Sequence, residues 1–168
     1  YANLVAHPDL EPPFLTLVVS GGHTMLVDVP AYNEFQLLGE TKDDAAGEAF
    51  DKIARVMGYP YPGGPHIDRL AAEGNPHAIE FPQALRNEDN FDFSFSGVKS
   101  AVLNYLHNCE QRGETYRPED VAASFQHAVV NVLVEKTIRA AQQQHRDIVC
   151  IAGGVAANSG LRQELAAA

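Results

Sequence analysis

Five short segments of this chain combine residue types that could carry chemistry. In Val18-Val19-Ser20-Gly21-Gly22-His23-Thr24 an apolar run delivers two glycines and two hydroxyls. Glycine lets a phosphate approach the backbone closely, and successive N–H groups form an anion nest. A plain hairpin turn uses the same dipeptide. His23 has no second His at the i+2, i+3 or i+4 spacing that a metal pair needs. Asp44, Glu48 and Asp51 fall on one face of a helical pattern. Three like charges there repel one another unless a cation or a hydroxylated ligand meets them. Asp51 suits ribose hydroxyls, as the acidic residue of dinucleotide folds does, or else an ion pair with Arg55 on a solvated face.

Pro62-Gly63-Gly64-Pro65 with Asp68 forms the third segment. Two fixed proline φ angles flank two permissive residues, so the loop either presents bare backbone to a flat ring or phosphate or simply turns. Gly153-Gly154-Val155-Ala156-Ala157-Asn158 places N–H groups at a strand end and a helix start, where anions bind. It is one glycine short of the dinucleotide fingerprint. Phe91-Asp92-Phe93-Ser94-Phe95-Ser96-Gly97 alternates phenylalanines for a core with Ser94, Ser96 and Lys99 for a cleft, or forms a short packed strand. The other histidines (His7, His66, His77, His107, His127 and His145) show no ligand spacing. Cys109 and Cys150 have no neighbouring base in sequence, so thiol catalysis has no support and at most one disulfide is available.

Composition narrows the classes. The 168 residues, 45% hydrophobic and 20% charged, predict about one globular domain in a reducing, cytoplasmic setting. No run of eighteen apolar residues occurs, and the opening YANLVAHPDLEPP lacks the basic start and apolar stretch of a signal peptide, so secretion is not expected. Twelve basic residues against twenty-two acidic ones give a net charge of −10. A nucleic-acid binder displaces counterions with a basic stripe, and this chain has none. Any nucleic-acid substrate must find its cationic surface mostly on other protein.

The elements that must position these segments follow from periodicity. A polar opening segment ends at Pro12-Pro13. FLTLVVS over 14–20 and TMLVDV over 24–29 read as strands, with a third over 35–38 that ends at Gly39, giving an antiparallel meander. Thr41 and Asp44 fit a capping box, and Ala46, Phe50, Ile53 and Met57 form a helix stripe closed by Gly58. A short helix covers 67–73, residues 75–92 make a connecting excursion, and helices cover 98–110 and 119–144. Val121, Phe125, Val129 and Val132 share a face of the last. A strand over 147–154 and a final helix complete the pattern. The order βββ, helices, β, α predicts an α/β protein of the actin-like ATPase and ribonuclease H-like kind: a mixed sheet with flanking helices, incomplete here.

Taken together, SGGHT, GETKDDAAGEAFDKIARVMG, YPGGPHID, FDFSFSGVKS and AGGVAANSGLR resemble the TsaD family of tRNA threonylcarbamoyladenosine transferases, formerly annotated O-sialoglycoprotein endopeptidases. The five motifs occur in order across nearly the whole chain. The resemblance implies an actin-like ATPase fold with two lobes. It implies a cytoplasmic acyltransferase of tRNA processing that moves threonylcarbamoyl from threonylcarbamoyl-AMP to the N6 amine of adenosine 37, in tRNAs reading codons that start with A. By the same resemblance Val18, Val19, Ser20, Gly21 and Gly22 line the substrate loop, and Asp51 holds the ribose hydroxyls. Gly64 and Asp68 lie against the nucleotide, and Asn158 closes its other side.

The family's divalent metal, of the iron or zinc class, sits on an HxxxH motif before Tyr1 and an Asp beyond Ala168, so no metal ligand is assigned within 1–168. The chain thus reads as the central part of a two-lobed protein, mainly the second lobe with its helical insertion. The amino-terminal lobe and the carboxy-terminal segment fall outside it. Implied partners are tRNA, threonylcarbamoyl-AMP and other threonylcarbamoylation proteins: a paralogue of the family and a small ATPase. Self-association is expected from apolar surface meant for the other lobe. No catalytic residue is assigned, and the fragment alone is expected to be inactive. The alternatives are a non-catalytic module that binds partners through helix 119–144, the metalloendopeptidase of the old family annotation, and a sugar-kinase-like or chaperone-like ATPase.

Overall fold

The computed structural model describes residues 2–168. Strands β1 (Phe14–Val19), β2 (Thr24–Val29) and β3 (Gln36–Glu40) form the expected meander, and β4 (Val149–Ala152) joins it, in the order β3-β2-β1-β4. β1 pairs antiparallel with β2 and parallel with β4, with Val18 opposite Ala152. The parallel pairing matters for function. It brings the glycine turns after β1 and after β4 out at the same end of the sheet, where ligands of α/β folds bind.

The helices are α1 (Ala2–Ala6), α2 (Ala46–Val56), α3 (Gly64–Ala71), α4 (Ser96–Arg112), α5 (Pro118–Gln143) and α6 (Ser159–Ala167), with a 3₁₀ turn over Gly154–Ala157 before the last. Ala46, Phe50 and Ile53 of α2 are buried as the stripe predicts, and Gly58 closes that helix with φ +87°. On α5, Val121, Phe125, Val129 and Val132 are likewise buried. Phe125 meets Phe50 edge to face at 5.1 Å, which locks α5 onto α2.

Several expectations are corrected. The polar opening segment contains the short helix α1, for which no element was expected. Thr41 and Asp44 do not form a capping box, because α2 starts later, at Ala46. The Thr41 hydroxyl donates instead to the Asp44 carbonyl at 2.7 Å. The free N–H of Ala46 goes to Thr24 Oγ1 at 2.9 Å, so strand β2 supplies the cap. Asp44 therefore precedes the helix and is not on its acidic face. Its carboxylate meets Lys52 and Lys99, and Lys52 also reaches Glu48, so the predicted repulsion is relieved by lysines. α3 begins three residues before the expected start, with Pro65 in its first turn. Phe93 makes one bridge to Thr41 rather than a strand. α5 is not an open contact surface either: its residues are buried on most sides, against α3, α4, α6 and β1. Cys109 and Cys150 are both free thiols.

The excursion over 75–92 has little regular structure, so its backbone must find partners elsewhere. α5 provides them. Asp120 accepts the Asn75 N–H at 2.8 Å, and the Ser124 hydroxyl accepts the Ile79 N–H at 3.1 Å. Lys136, fully buried, donates to the carbonyls of Asn90 and Asp92 at 3.1 and 2.6 Å. Burial, with Arg139 nearby, pushes its ammonium below the ordinary lysine value.

Candidate functional site

The two glycine turns, α2 and α3 enclose a cleft of ≈ 580 Å³. Its wall is mainly apolar, with Phe50, Tyr61, Pro62 and Val155 beside the polar Asp51, Asp68, Arg69 and Ser159. Such a surface suits a flat apolar ring carrying a few hydrogen-bonding groups. Of the nine residues expected to bind substrate, Gly21, Asp51, Gly64, Asp68 and Asn158 border it. They come from four separated segments of the chain, brought together by the sheet and by α5.

Each is held in a definable way. The turn after β1 is tied by Ser20, whose Oγ accepts the N–H groups of His23 at 3.1 Å and Gly22 at 3.4 Å. The Ser20 carbonyl accepts the Gly47 N–H at 3.1 Å, seating the α2 N-terminus against the turn. Gly47 permits that approach, since a Cβ there would stand 2.6 Å from the Ser20 carbonyl carbon. Val18, Val19, Ser20 and Gly22 do not border the cleft themselves. Val19 lies fully buried in the sheet core, and its carbonyl packs against Gly153.

Asp51 faces the Pro62–Pro65 loop rather than Arg55. Its Oδ1 accepts the Gly63 N–H at 2.7 Å. No hydrogen bond within the chain engages Oδ2 among the described residues, which leaves that oxygen for hydroxyls of a ligand. Asp68 and Asn158 lie at the other wall. Asp68 Oδ2 accepts the Ser159 N–H at 3.0 Å, and Oδ1 accepts the Ser159 hydroxyl at 2.7 Å. Asn158 caps α6, its Oδ1 accepting the Leu161 N–H at 2.9 Å. Between the two lies Gln126, which donates to Asp68 at 3.0 Å and accepts from Asn158 at 2.7 Å.

Gln126 and Ser159 were not foreseen. Gln126 is a polar side chain on a helix buried on most sides, a signal that appears only once burial is known. Ser159 was in view beside Asn158 but has no distinguishing pattern of its own.

The FDFSFSG segment sits elsewhere. Asp43 accepts from the Ser94 and Ser96 hydroxyls at 2.5 and 2.8 Å and from the N–H groups of Phe95 and Ser96 at 2.8 and 3.1 Å. It thus caps the start of α4 from outside. Burial alone would raise the Asp43 carboxyl, but those four donors hold it below its ordinary value. Among the described residues no three His, Cys, Asp or Glu side chains gather as a metal cage. The donor set of the described residues does not fit the metal implied by the family resemblance. Nor, among the described residues, is any helix long and apolar enough to cross a membrane.

The sheet and its flanking helices have the actin-like ATPase fold, in part. Two solved structures share that fold. The activator of the 2-hydroxyisocaproyl-CoA dehydratase from Clostridium difficile, solved with bound ADPNP, superposes with a TM-score of 0.57 at 15% identity, covering 94% of this chain and 52% of that one. The component A of the (R)-2-hydroxyglutaryl-CoA dehydratase from Acidaminococcus fermentans gives 0.56 at 18% identity, covering 98% and 54%.

Sequence similarity is more specific. The family model described as TsaD, tRNA N6-adenosine threonylcarbamoyltransferase, matches residues 1–168, and the chain belongs to that family. A tRNA N6-adenosine threonylcarbamoyltransferase of Clostridium perfringens (strain SM101 / Type A) is 59% identical over 164 residues, covering 98% of this chain. That of Clostridioides difficile (strain 630) is 57% identical over the same length. The chain spans about half the length of these curated relatives, 48% of each.

Proposed function

We propose that this chain supplies the nucleotide-holding side of a site that transfers threonylcarbamoyl from threonylcarbamoyl-AMP to the N6 amine of a tRNA adenosine, position 37 by family resemblance. The observation that carries the reading is the convergence of Gly21, Asp51, Gly64, Asp68 and Asn158 on one cleft. Family membership and the name of its relatives agree with it.

In that reaction the adenosine amine attacks the carbamoyl carbon of a mixed carbamoyl–phosphate anhydride, the C–O bond to phosphate breaks, and AMP leaves. The residues of this chain orient the nucleotide half. Asp51 Oδ2 accepts from ribose hydroxyls, and the apolar wall with Tyr61 and Pro62 takes the ring. The open glycines leave room for the phosphate. Orientation of this kind lowers the entropic cost of reaching the transition state. No residue here is assigned as general base, and among the described residues no three metal-ligating side chains gather.

In this reading the chain is the central part of a cytoplasmic two-lobed protein, mainly its second lobe. Transfer itself needs the rest of that protein, along with tRNA and the other threonylcarbamoylation proteins. The acidic charge of the chain agrees, because the cationic surface for tRNA must then lie elsewhere.

Calorimetric titration with AMP and ATP tests the reading, with Asp51→Asn alongside. The asparagine still has an oxygen to accept the Gly63 N–H, so the loop stays in place. The lost charge weakens the ribose contact, and affinity falls by about tenfold. Equal affinity in the variant, or no nucleotide binding by the wild-type chain, would overturn the assignment.

A further inference from the structure

We infer that Gln126 is the positioning residue of the cleft, fixing which way the polar atoms of Asp68 and Asn158 face. The inference rests on the nucleotide reading only for its consequence, not for its geometry. Hydrogen-bond polarity sets the arrangement. Asn158 Oδ1 is committed to the Leu161 N–H, since a helix cap must accept. Its amide group Nδ2 therefore donates, and the acceptor it meets is Gln126 Oε1 at 2.7 Å. With Oε1 so used, Gln126 Nε2 must donate, and it meets Asp68 Oδ1 at 3.0 Å. A carboxylate accepts only, so the relay ends there without conflict.

The relay joins three elements. Asp68 lies on α3, Gln126 on α5, and Asn158 at the start of α6. Gln126 and Asn158 are both buried, so neither amide can trade its partner for water. Gly160 adds a second constraint: a Cβ there would come within 2.8 Å of Gln126 Nε2, so the absence of a side chain keeps the bridge in place. Gln126 does not border the cleft, whereas both of its partners do. It acts through them. Glutamine is the side chain that fits, because it offers one acceptor and one donor at the same reach.

Gln126→Glu gives the sharpest test, because it preserves shape and changes only polarity. At high pH the new carboxylate faces Asp68 with like charge and offers it no donor. At lower pH the two carboxyls share one proton. A protonated Glu then restores one acceptor and one donor, as in glutamine. AMP affinity of Gln126→Glu is expected to fall by about tenfold near pH 8 and to recover toward the wild-type value near pH 6. Gln126→Met, with neither donor nor acceptor, is expected to lose affinity at both pH values without recovery.

A carboxyl-carbon NMR titration of the nucleotide-free Gln126→Glu chain reads the bridge directly. Asp68 and the new Glu should titrate as a coupled pair. Independent titration of the two, or pH-independent wild-type AMP affinity in both variants, would overturn the inference. Failure of the wild-type chain to bind AMP would instead strike at the nucleotide reading, while the carboxyl titration still decides the bridge.

Discussion

Gly63 and Gly64 are neighbours in the chain but sit in different surroundings. A Cβ on Gly63 would stand 2.5 Å from Ala54 Cβ and 2.9 Å from Asp51 Cα, whereas one on Gly64 would meet nothing within 4 Å. Gly153 and Gly154 divide in the same way. Gly153 has φ +100° and no room for a side chain against the Val19 carbonyl, while Gly154 has open space. In each pair the first glycine lets two pieces of backbone pack, and the second borders the cleft. In these two pairs one residue serves the scaffold and the other faces the ligand space, whereas a Cβ on either Gly21 or Gly22 would meet nothing within 4 Å.

The largest effect expected from breaking this division is at Gly153→Ala. The substitution combines a left-handed φ with overlap onto the Val19 carbonyl, and it should cost about 3 kcal/mol. Denaturant unfolding measures it, and a loss as small as that of an exposed substitution would show that the strand-end turn yields. A contrasting result is expected at Gly64→Ala. Nothing stands in the way of the methyl group, and alanine suits a helix better than glycine, so stability should move by no more than about 0.5 kcal/mol. AMP affinity should nevertheless fall severalfold, because the methyl enters the cleft. An unchanged affinity would remove Gly64 from the ligand surface.

The smallest effect sharpens the contrast with a region away from the cleft. Asp43 caps α4, and its carboxyl is held below its ordinary value of 3.8 by the Ser94, Phe95 and Ser96 donors, against the opposing pull of burial. A carboxyl so lowered stabilises the fold fully above pH 3.8, and that contribution is lost as pH falls through its folded value. Asp43→Asn should therefore flatten the acid limb of the melting curve slightly. An acid limb identical to that of the wild-type chain would mean that Asp43 adds nothing by its charge.

The meander was legible because its strands are short, apolar and β-branched and are bounded by Gly and Pro. The α2 stripe was legible because Ala46, Phe50 and Ile53 recur at helical spacing. Starts and caps were harder to read. Thr41 and Asp44 have the right types and spacing for a capping box, yet Thr24, twenty-two residues before Ala46, supplies the oxygen. A local pattern has no means of announcing a distant competitor. The Asp51–Arg55 pairing failed for a similar reason: the Gly63 N–H lies closer to the carboxylate than any helix neighbour could show. Lys136 and Gln126 escaped notice because a polar residue on a long helix looks solvated until its whole surround is known.

The sequence by itself determined the order of the elements, the glycine and proline turns and the family to which the chain belongs. Those properties are written in local spacing and in motifs that survive without coordinates. Only the tertiary structure decided that Gly63 and Gly153 pack while Gly64 and Gly154 border the cleft, and that Asp68, Gln126 and Asn158 form one relay. Their partners come from α3, α5 and α6, and hydrogen-bond polarity across helices depends on distances that no stretch of sequence contains. The physical reason is that hydrophobic periodicity acts along a single element, whereas a binding cleft is made where several elements meet.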